Sequence, residues 1–208
     1  MLTNPIMESD FLLLTQANLP CNDGVPLETE RHQQQMELLV DSLKPWLSQH
    51  HKNGYVGGNQ FVYYSLKQIH QQDFKCPDVF VVMRVPSGER KSWVVWEEGK
   101  TPDLIIELLS ESTAKEDKTN KKLLYQNQLK VAEYFWFDPF NPDDFAGFMI
   151  NTGRYEDLPL ENEHFFSPLL GLNLVKWQGV YKDIEAIWLR WATLEGELLL
   201  SPEEFEKK

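Results

Sequence analysis

Met36, Leu39, Leu43, Trp46 and Leu47 recur at intervals of three and four residues, the spacing that lines one face of a helix. Thr29 stands ahead of this run with the chemistry of an N-cap, so a long amphipathic helix is predicted from Thr29 to near His50. Upstream, Pro5, Pro20, Gly24 and Pro26 punctuate a polar stretch. It reads as an irregular arm over about residues 1–28, with one short apolar segment from Phe11 to Leu14. Past the turn signals Asn53-Gly54 and Gly57-Gly58 the character changes. The runs QFVYYSL, DVFVVMRV and SWVVWEE carry β-branched and aromatic residues between prolines and glycines, and three consecutive antiparallel strands are expected.

DLIIELLS is the most apolar segment, and an unbroken run of this kind fits a strand buried on both faces. Thr113 and Glu116 have the spacing of a capping box, and KEDKTNKKLLYQNQ continues as a mostly polar helix anchored by Leu124 and Tyr125. VAEYFWFD returns to a strand. This order, strand then helix then strand, gives a right-handed crossover if the two strands are parallel. The tail alternates turn residues with short aromatic strands and is expected to close in a β-hairpin over about residues 186–201, AIWLRW returning as LLLS. The whole chain, residues 1–208, is therefore read as one α/β domain with a central mixed sheet flanked by helices.

Composition narrows the function. With 208 residues and 42% hydrophobic content, the chain is long enough to bury a full core. Twenty basic against thirty-two acidic side chains give a net charge of -12, the opposite of the footprint of a strong non-specific nucleic-acid binder. A local lysine cluster or a bound divalent cation can still reverse the potential at one site. Two cysteines, Cys21 and Cys76, are too few for a disulfide framework and lack zinc-site spacing. A reducing cytoplasm is expected, with no targeting segment and no membrane anchor.

Glu107 carries the strongest chemical signal, because it interrupts Leu104, Ile105, Ile106, Leu108 and Leu109 in what should be a doubly covered strand. Burying an unpaired charge costs on the order of several kcal/mol, so such a carboxylate needs a cation, a metal or dense hydrogen bonding. Asp103 shares its face but lies ~13 Å away at ~3.3 Å per residue, too far to share one ion. Asp78, at the head of the DVFVV run, becomes the second ligand if its strand neighbours that of Glu107. Two carboxylates with waters suit Mg²⁺ or Mn²⁺. A nearby cation is then needed to offset charge building on a phosphate, and Lys121 is the candidate, with Lys122 as fallback. Lys118, Lys121, Lys122 and Tyr125 lie at i, i+3, i+4 and i+7 on one helix face. Asp117 precedes Lys121 by four residues and could hold it. Glu30, near the start of the long helix, could lean toward the metal, although a first-turn Glu is ordinarily explained by the helix dipole. Taken alone, the lysine-rich face is a solvated surface and Asp78 a strand-end residue. Their coincidence with Glu107 in one strand-strand-helix unit is what points to a site. The five histidines show no metal-ligand spacing, and there is no glycine-rich phosphate loop.

The segments CPDVFVV, TPDLIIELLSESTAKEDKTNKKLLYQNQ and VAEYFWFDP together resemble the Uma-two-type endonucleases, a family abundant in cyanobacteria, within the PD-(D/E)XK superfamily. The resemblance implies a restriction-endonuclease-like core with a metal-dependent phosphodiesterase site. It assigns Asp78 and Glu107 as metal ligands and Lys121 as catalytic lysine. The superfamily pattern sets an acid, any residue and then lysine on one strand, whereas this chain reads Glu107, Leu108, Leu109, so the lysine is expected to come from the following helix.

The leading reading is a metal-dependent phosphodiester hydrolase, a DNA endonuclease, with nucleic acid as substrate and a homodimer as its working form. Two alternatives share the fold: an inactive nuclease-fold module that binds a partner protein, and a hydrolase of small phosphodiesters or nucleotides that needs no basic groove.

Overall fold

A computed structural model describes residues 14–21, 29–50, 53–65, 67–68 and 75–206. Helix α1, Glu30–Gln49, begins as its spacing predicts, with the Thr29 side chain accepting a hydrogen bond from the His32 backbone N–H. Its inner face buries Leu38, Leu39, Leu43 and Leu47. Gln35, fully buried, exchanges two hydrogen bonds with the backbone of Leu189, so its amide ties the helix to the far sheet without leaving polar atoms unpaired.

Strands β1 (Gly54–Gly58), β3 (Val79–Met83), β5 (Leu104–Leu108), β6 (Glu133–Phe137), β7 (Phe145–Asn151) and β8 (Arg154–Asp157) form a six-stranded sheet in the order β1-β3-β5-β6-β7-β8. All neighbours are antiparallel except β5 and β6. That parallel pair is joined by α3, residues 114–129, the crossover expected from the strand-helix-strand order. β5 is buried at every position, which fits its place in the middle of the sheet. One face packs against α1 and a three-stranded antiparallel sheet of β9 (His164–Ser167), β10 (Leu172–Tyr181) and β11 (Ile184–Ala192). The other face, with Phe80, Ile105 and Tyr134, packs against α3.

Three expectations are corrected. The sheet starts at Gly54–Gly58, in residues that read as turns. Gly57 serves close approach, since a Cβ there would fall 2.4 Å from the Phe80 ring. Among the described residues of QFVYYSL and SWVVWEE, only β2 (Val62–Tyr63) and β4 (Trp93–Val94) are strands, and they pair in parallel as a separate two-stranded ribbon. The chain then turns into the short helix α2, Val95–Glu98, which stops at Gly99 in the left-handed region (φ 70°), so β3 pairs directly with β5 rather than through a third meander strand. At the tail, the long antiparallel hairpin is β10 with β11. The segment after the 194–196 turn returns only as a bridge between Ala192 and Leu198. Its end is held by Arg190, which is buried, donates to the Leu199 carbonyl and pairs with Glu204 of helix α4, Pro202–Glu206.

Of the amino-terminal arm, residues 1–13 and 22–28 lie outside the described residues, and with them most of the Phe11 to Leu14 segment. The described part packs on the β2–β4 ribbon: Trp96 donates to the Leu14 carbonyl and Tyr63 to that of Pro20.

Candidate active site

The register between β3 and β5 sets the site. Val79 stands opposite Ile106 and Phe80 opposite Ile105. One step further along both strands, Asp78 falls beside Glu107. By the alternation of side chains in a strand, both acids lie on the face of Phe80 and Ile105, under α3. The Asp78 carboxylate is fixed by a hydrogen bond from the Leu108 backbone N–H to Oδ2 (2.7 Å). Glu107 is 1% exposed. Its Oε1 accepts from the Tyr125 hydroxyl (2.6 Å) and its Oε2 from the Lys121 ammonium (3.1 Å).

Helix α3 delivers these partners. Ser110 and Thr113 cap its start reciprocally, the Thr113 backbone N–H donating to Ser110 Oγ (3.1 Å) and the Ser110 N–H reaching Thr113 Oγ1 (3.3 Å). The cap therefore lies three residues ahead of the Thr113–Glu116 box read from the sequence, and Thr113 makes no cap bond of its own toward Glu116. Further on, the segments Asp117–Lys121 and Tyr125–Leu129 are π turns. In a regular α-helix of about 3.6 residues per turn, every fourth residue overshoots a full turn. Wider i→i+5 turns absorb that overshoot. Asp117, Lys121 and Tyr125, spaced by four, thus stack on one line over Glu107.

Lys121 is shared between two acids, Glu107 and Asp117, with Asp117 Oδ1 at 2.7 Å. The Asp117 contact is an ion pair rather than a well-directed hydrogen bond, since Oδ1 has no hydrogen-bond donor. Asp117 is itself buried, and its backbone carbonyl accepts from the Tyr134 hydroxyl (2.9 Å). Three carboxylates against one ammonium leave an excess of negative charge, and the acids respond. Burial lifts Glu107 to about 7, with Asp78 adding to the rise and Lys121 opposing it. Burial lifts Asp78 to about 6 against the pull of Lys121. Asp117 is likewise raised to about 6, by burial and then by Glu107. Burial works against the charge of Lys121, but Glu107, Asp117 and Asp78 together hold it well above the ordinary lysine range, so it stays an ammonium.

The sequence candidates thus divide. Asp78, Glu107, Lys121, Asp117 and Tyr125 come together. Lys122 points away, its ammonium 3.3 Å from the centre of the Phe148 ring, and burial lowers its pKa. Lys118 pairs with Asp144 beside Trp136, so the lysine face splits into separate contacts. Glu30 is exposed on the first turn of α1, where its carboxylate accepts from Gln34. Sequence reasoning missed two contributors: Tyr134, whose hydroxyl steadies Asp117, and the backbone N–H of Leu108. Tyr134 could have been found from period two along β6, which sets it on the same face as Trp136. A backbone donor leaves no trace in residue identity.

The donor set fits a divalent cation. Two carboxylates lie side by side on neighbouring strands, and their charge exceeds what Lys121 neutralises. Among the described residues, no group of three or more His, Cys, Asp and Glu side chains could hold a metal, so two protein carboxylates would leave the remaining positions to water, backbone or substrate, the habit of Mg²⁺ rather than zinc. No described helix is long and apolar enough to cross a membrane.

No curated protein matches the chain. Among solved structures, a "putative nuclease belonging to DUF820" from Anabaena variabilis is similar, with 16% identity over 79% of this chain and 89% of that one and a TM-score of 0.48. The family model Uma2, described as "Putative restriction endonuclease", matches residues 22–176. That span takes in the sheet from β1 to β8, α3 and all five converging residues, and the chain belongs to the Uma2 family of restriction-endonuclease-like proteins.

Proposed function

We propose that the protein is a metal-dependent phosphodiester hydrolase that cleaves DNA, with Asp78 and Glu107 holding Mg²⁺ or Mn²⁺ and Lys121 as the catalytic cation. The observation that carries this reading is the convergence of two carboxylates and one ammonium on neighbouring strands and the crossover helix, in a chain of this family. A divalent ion bound there supplies a water of lowered pKa and offsets charge on the phosphate.

In hydrolysis a water oxygen forms a bond to phosphorus while the ester P–O bond breaks, and negative charge builds on the phosphoryl oxygens. Lys121, held as an ammonium by three carboxylates, serves by donating to those oxygens, not by taking a proton. Asp117, 2.7 Å from the ammonium, helps keep it in place. Asp78 is held to one orientation by Leu108. Cutting both strands of a duplex calls for two such sites, which a homodimer would provide. Sedimentation of the full chain tests that.

Incubation of the purified protein with DNA and RNA in Mn²⁺ tests the main reading. Cleavage lost in Glu107→Ala is expected, and absence of cleavage, or its survival in that variant, overturns the mechanism. A second reading is favoured by the net charge of -12: the same site acting on small phosphodiesters, for which no basic groove is needed. Faster turnover of bis(p-nitrophenyl) phosphate than of oligonucleotides would select it.

A further inference from the structure

The two oxygens of Glu107 are held by partners that differ in how easily they can be replaced. Oε2 meets Lys121, which has a second carboxylate, Asp117, within 2.7 Å. A cation arriving at Oε2 therefore displaces an ammonium that keeps a counter-charge. Oε1 accepts from Tyr125 at 2.6 Å. That tyrosine is 0% exposed, and its ring is wedged edge-on against Tyr134, centroids 5.3 Å apart. Displacing it would strand a hydroxyl where water does not reach.

We propose that Tyr125 is a specificity-determining residue: by occupying one lone pair of Oε1 it disfavours ligation of Glu107 through both oxygens, and so selects a small divalent cation, Mg²⁺ or Mn²⁺, over Ca²⁺. Mg²⁺ is held by one or two carboxylates and retains several waters, at about 2.0–2.1 Å. Ca²⁺ seeks about six to eight oxygens at longer range and gains from carboxylates that offer both. A glutamate with one oxygen committed to a buried phenol serves the first ion and handicaps the second. The hydroxyl also orients the carboxylate, as partners behind metal ligands do. The inference rests on the reading of Asp78 and Glu107 as cation ligands.

Calorimetric titration of the full chain with Mn²⁺ and with Ca²⁺, for the parent, Tyr125→Phe and Tyr134→Phe, tests it. The parent is expected to prefer Mn²⁺. Tyr125→Phe should reduce the Mn²⁺/Ca²⁺ affinity ratio by about 10-fold or more, while Tyr134→Phe, which loses a bond to Asp117 and not to Glu107, leaves it within about twofold. If Tyr125→Phe is poorly folded by circular dichroism, Tyr125→Met, also without the hydroxyl, gives the same readout. A parent that binds cation and a Tyr125 variant with an unchanged ratio overturn the inference and spare the cation reading. A parent that binds neither ion overturns both.

Discussion

Glu107 bears a charge that burial opposes, and this separates its effect on stability from its effect on chemistry. Glu107 sits at about 7, Asp78 and Asp117 at about 6, all above the ordinary carboxylate range. For a group whose folded pKa is raised, the stability it contributes is complete below the unfolded value, at about pH 4, and is lost as pH rises through the folded value. The Glu107→Gln variant no longer bears that loss. It is expected to match the parent in thermal unfolding near about pH 4 and to gain on it progressively up to about pH 8, while losing activity. A parent and variant whose melting curves keep a constant separation over this range would contradict the charge assignment. Lys121→Met is expected to lower turnover by about 100- to 1,000-fold, as loss of a transition-state donor does, with a smaller change in KM. Steady-state kinetics on an oligonucleotide checks this.

At the scale of elements, α3 decides whether the site assembles. Its start is fixed by the Ser110–Thr113 exchange. Ser110→Ala is expected to cost about 1 kcal/mol, read as a lower urea midpoint with an unchanged slope, and to reduce activity because the line of Asp117, Lys121 and Tyr125 is referenced to that cap. Much of this architecture was legible beforehand. The apolar run around Glu107 announced a central strand, and the polar segment with Leu124 and Tyr125 announced a crossover helix. The two-strand ribbon was not legible, because Trp93 and Val94 have the same β-rich character whether they join the main sheet or leave it, and pairing is decided by tertiary packing. Gly57 read as a turn because the sequence does not show the Phe80 ring that requires it to be small. Within the site, Lys121 was named from the sequence with Lys122 as fallback, but on a helix face shared with Lys118 and Lys122 the choice had no geometric ground. The π turns that choose Lys121 over Lys118 and Lys122 depend on how the helix settles over β5 and β6, which periodicity of 3.6 does not encode.

For the whole molecule, the net charge of -12 limits how nucleic acid can be held. Of the four lysines on α3, Lys118 and Lys121 are already paired, Lys122 is turned onto Phe148 and Lys115 is exposed, so few cations on this helix are available for phosphates. Binding to duplex DNA is expected to weaken with salt along a slope no steeper than about -3, at about -0.9 per phosphate contact. Fluorescence anisotropy of a labelled duplex at several salt concentrations measures it, and a slope near -8 would point to a basic groove away from α3. The sharing of Lys121 between Glu107 and Asp117 has a consequence for how such a protein can be made. Three acids crowded into a core would repel one another in a newly synthesised chain that has not yet met an ion. On the proposed function, an ammonium carried on the chain itself would serve as a stand-in counter-ion, so that the fold could close first and take up a cation afterwards. Maturation would then require no metal at the ribosome, only a later exchange in which the lysine falls back on its second carboxylate, Asp117.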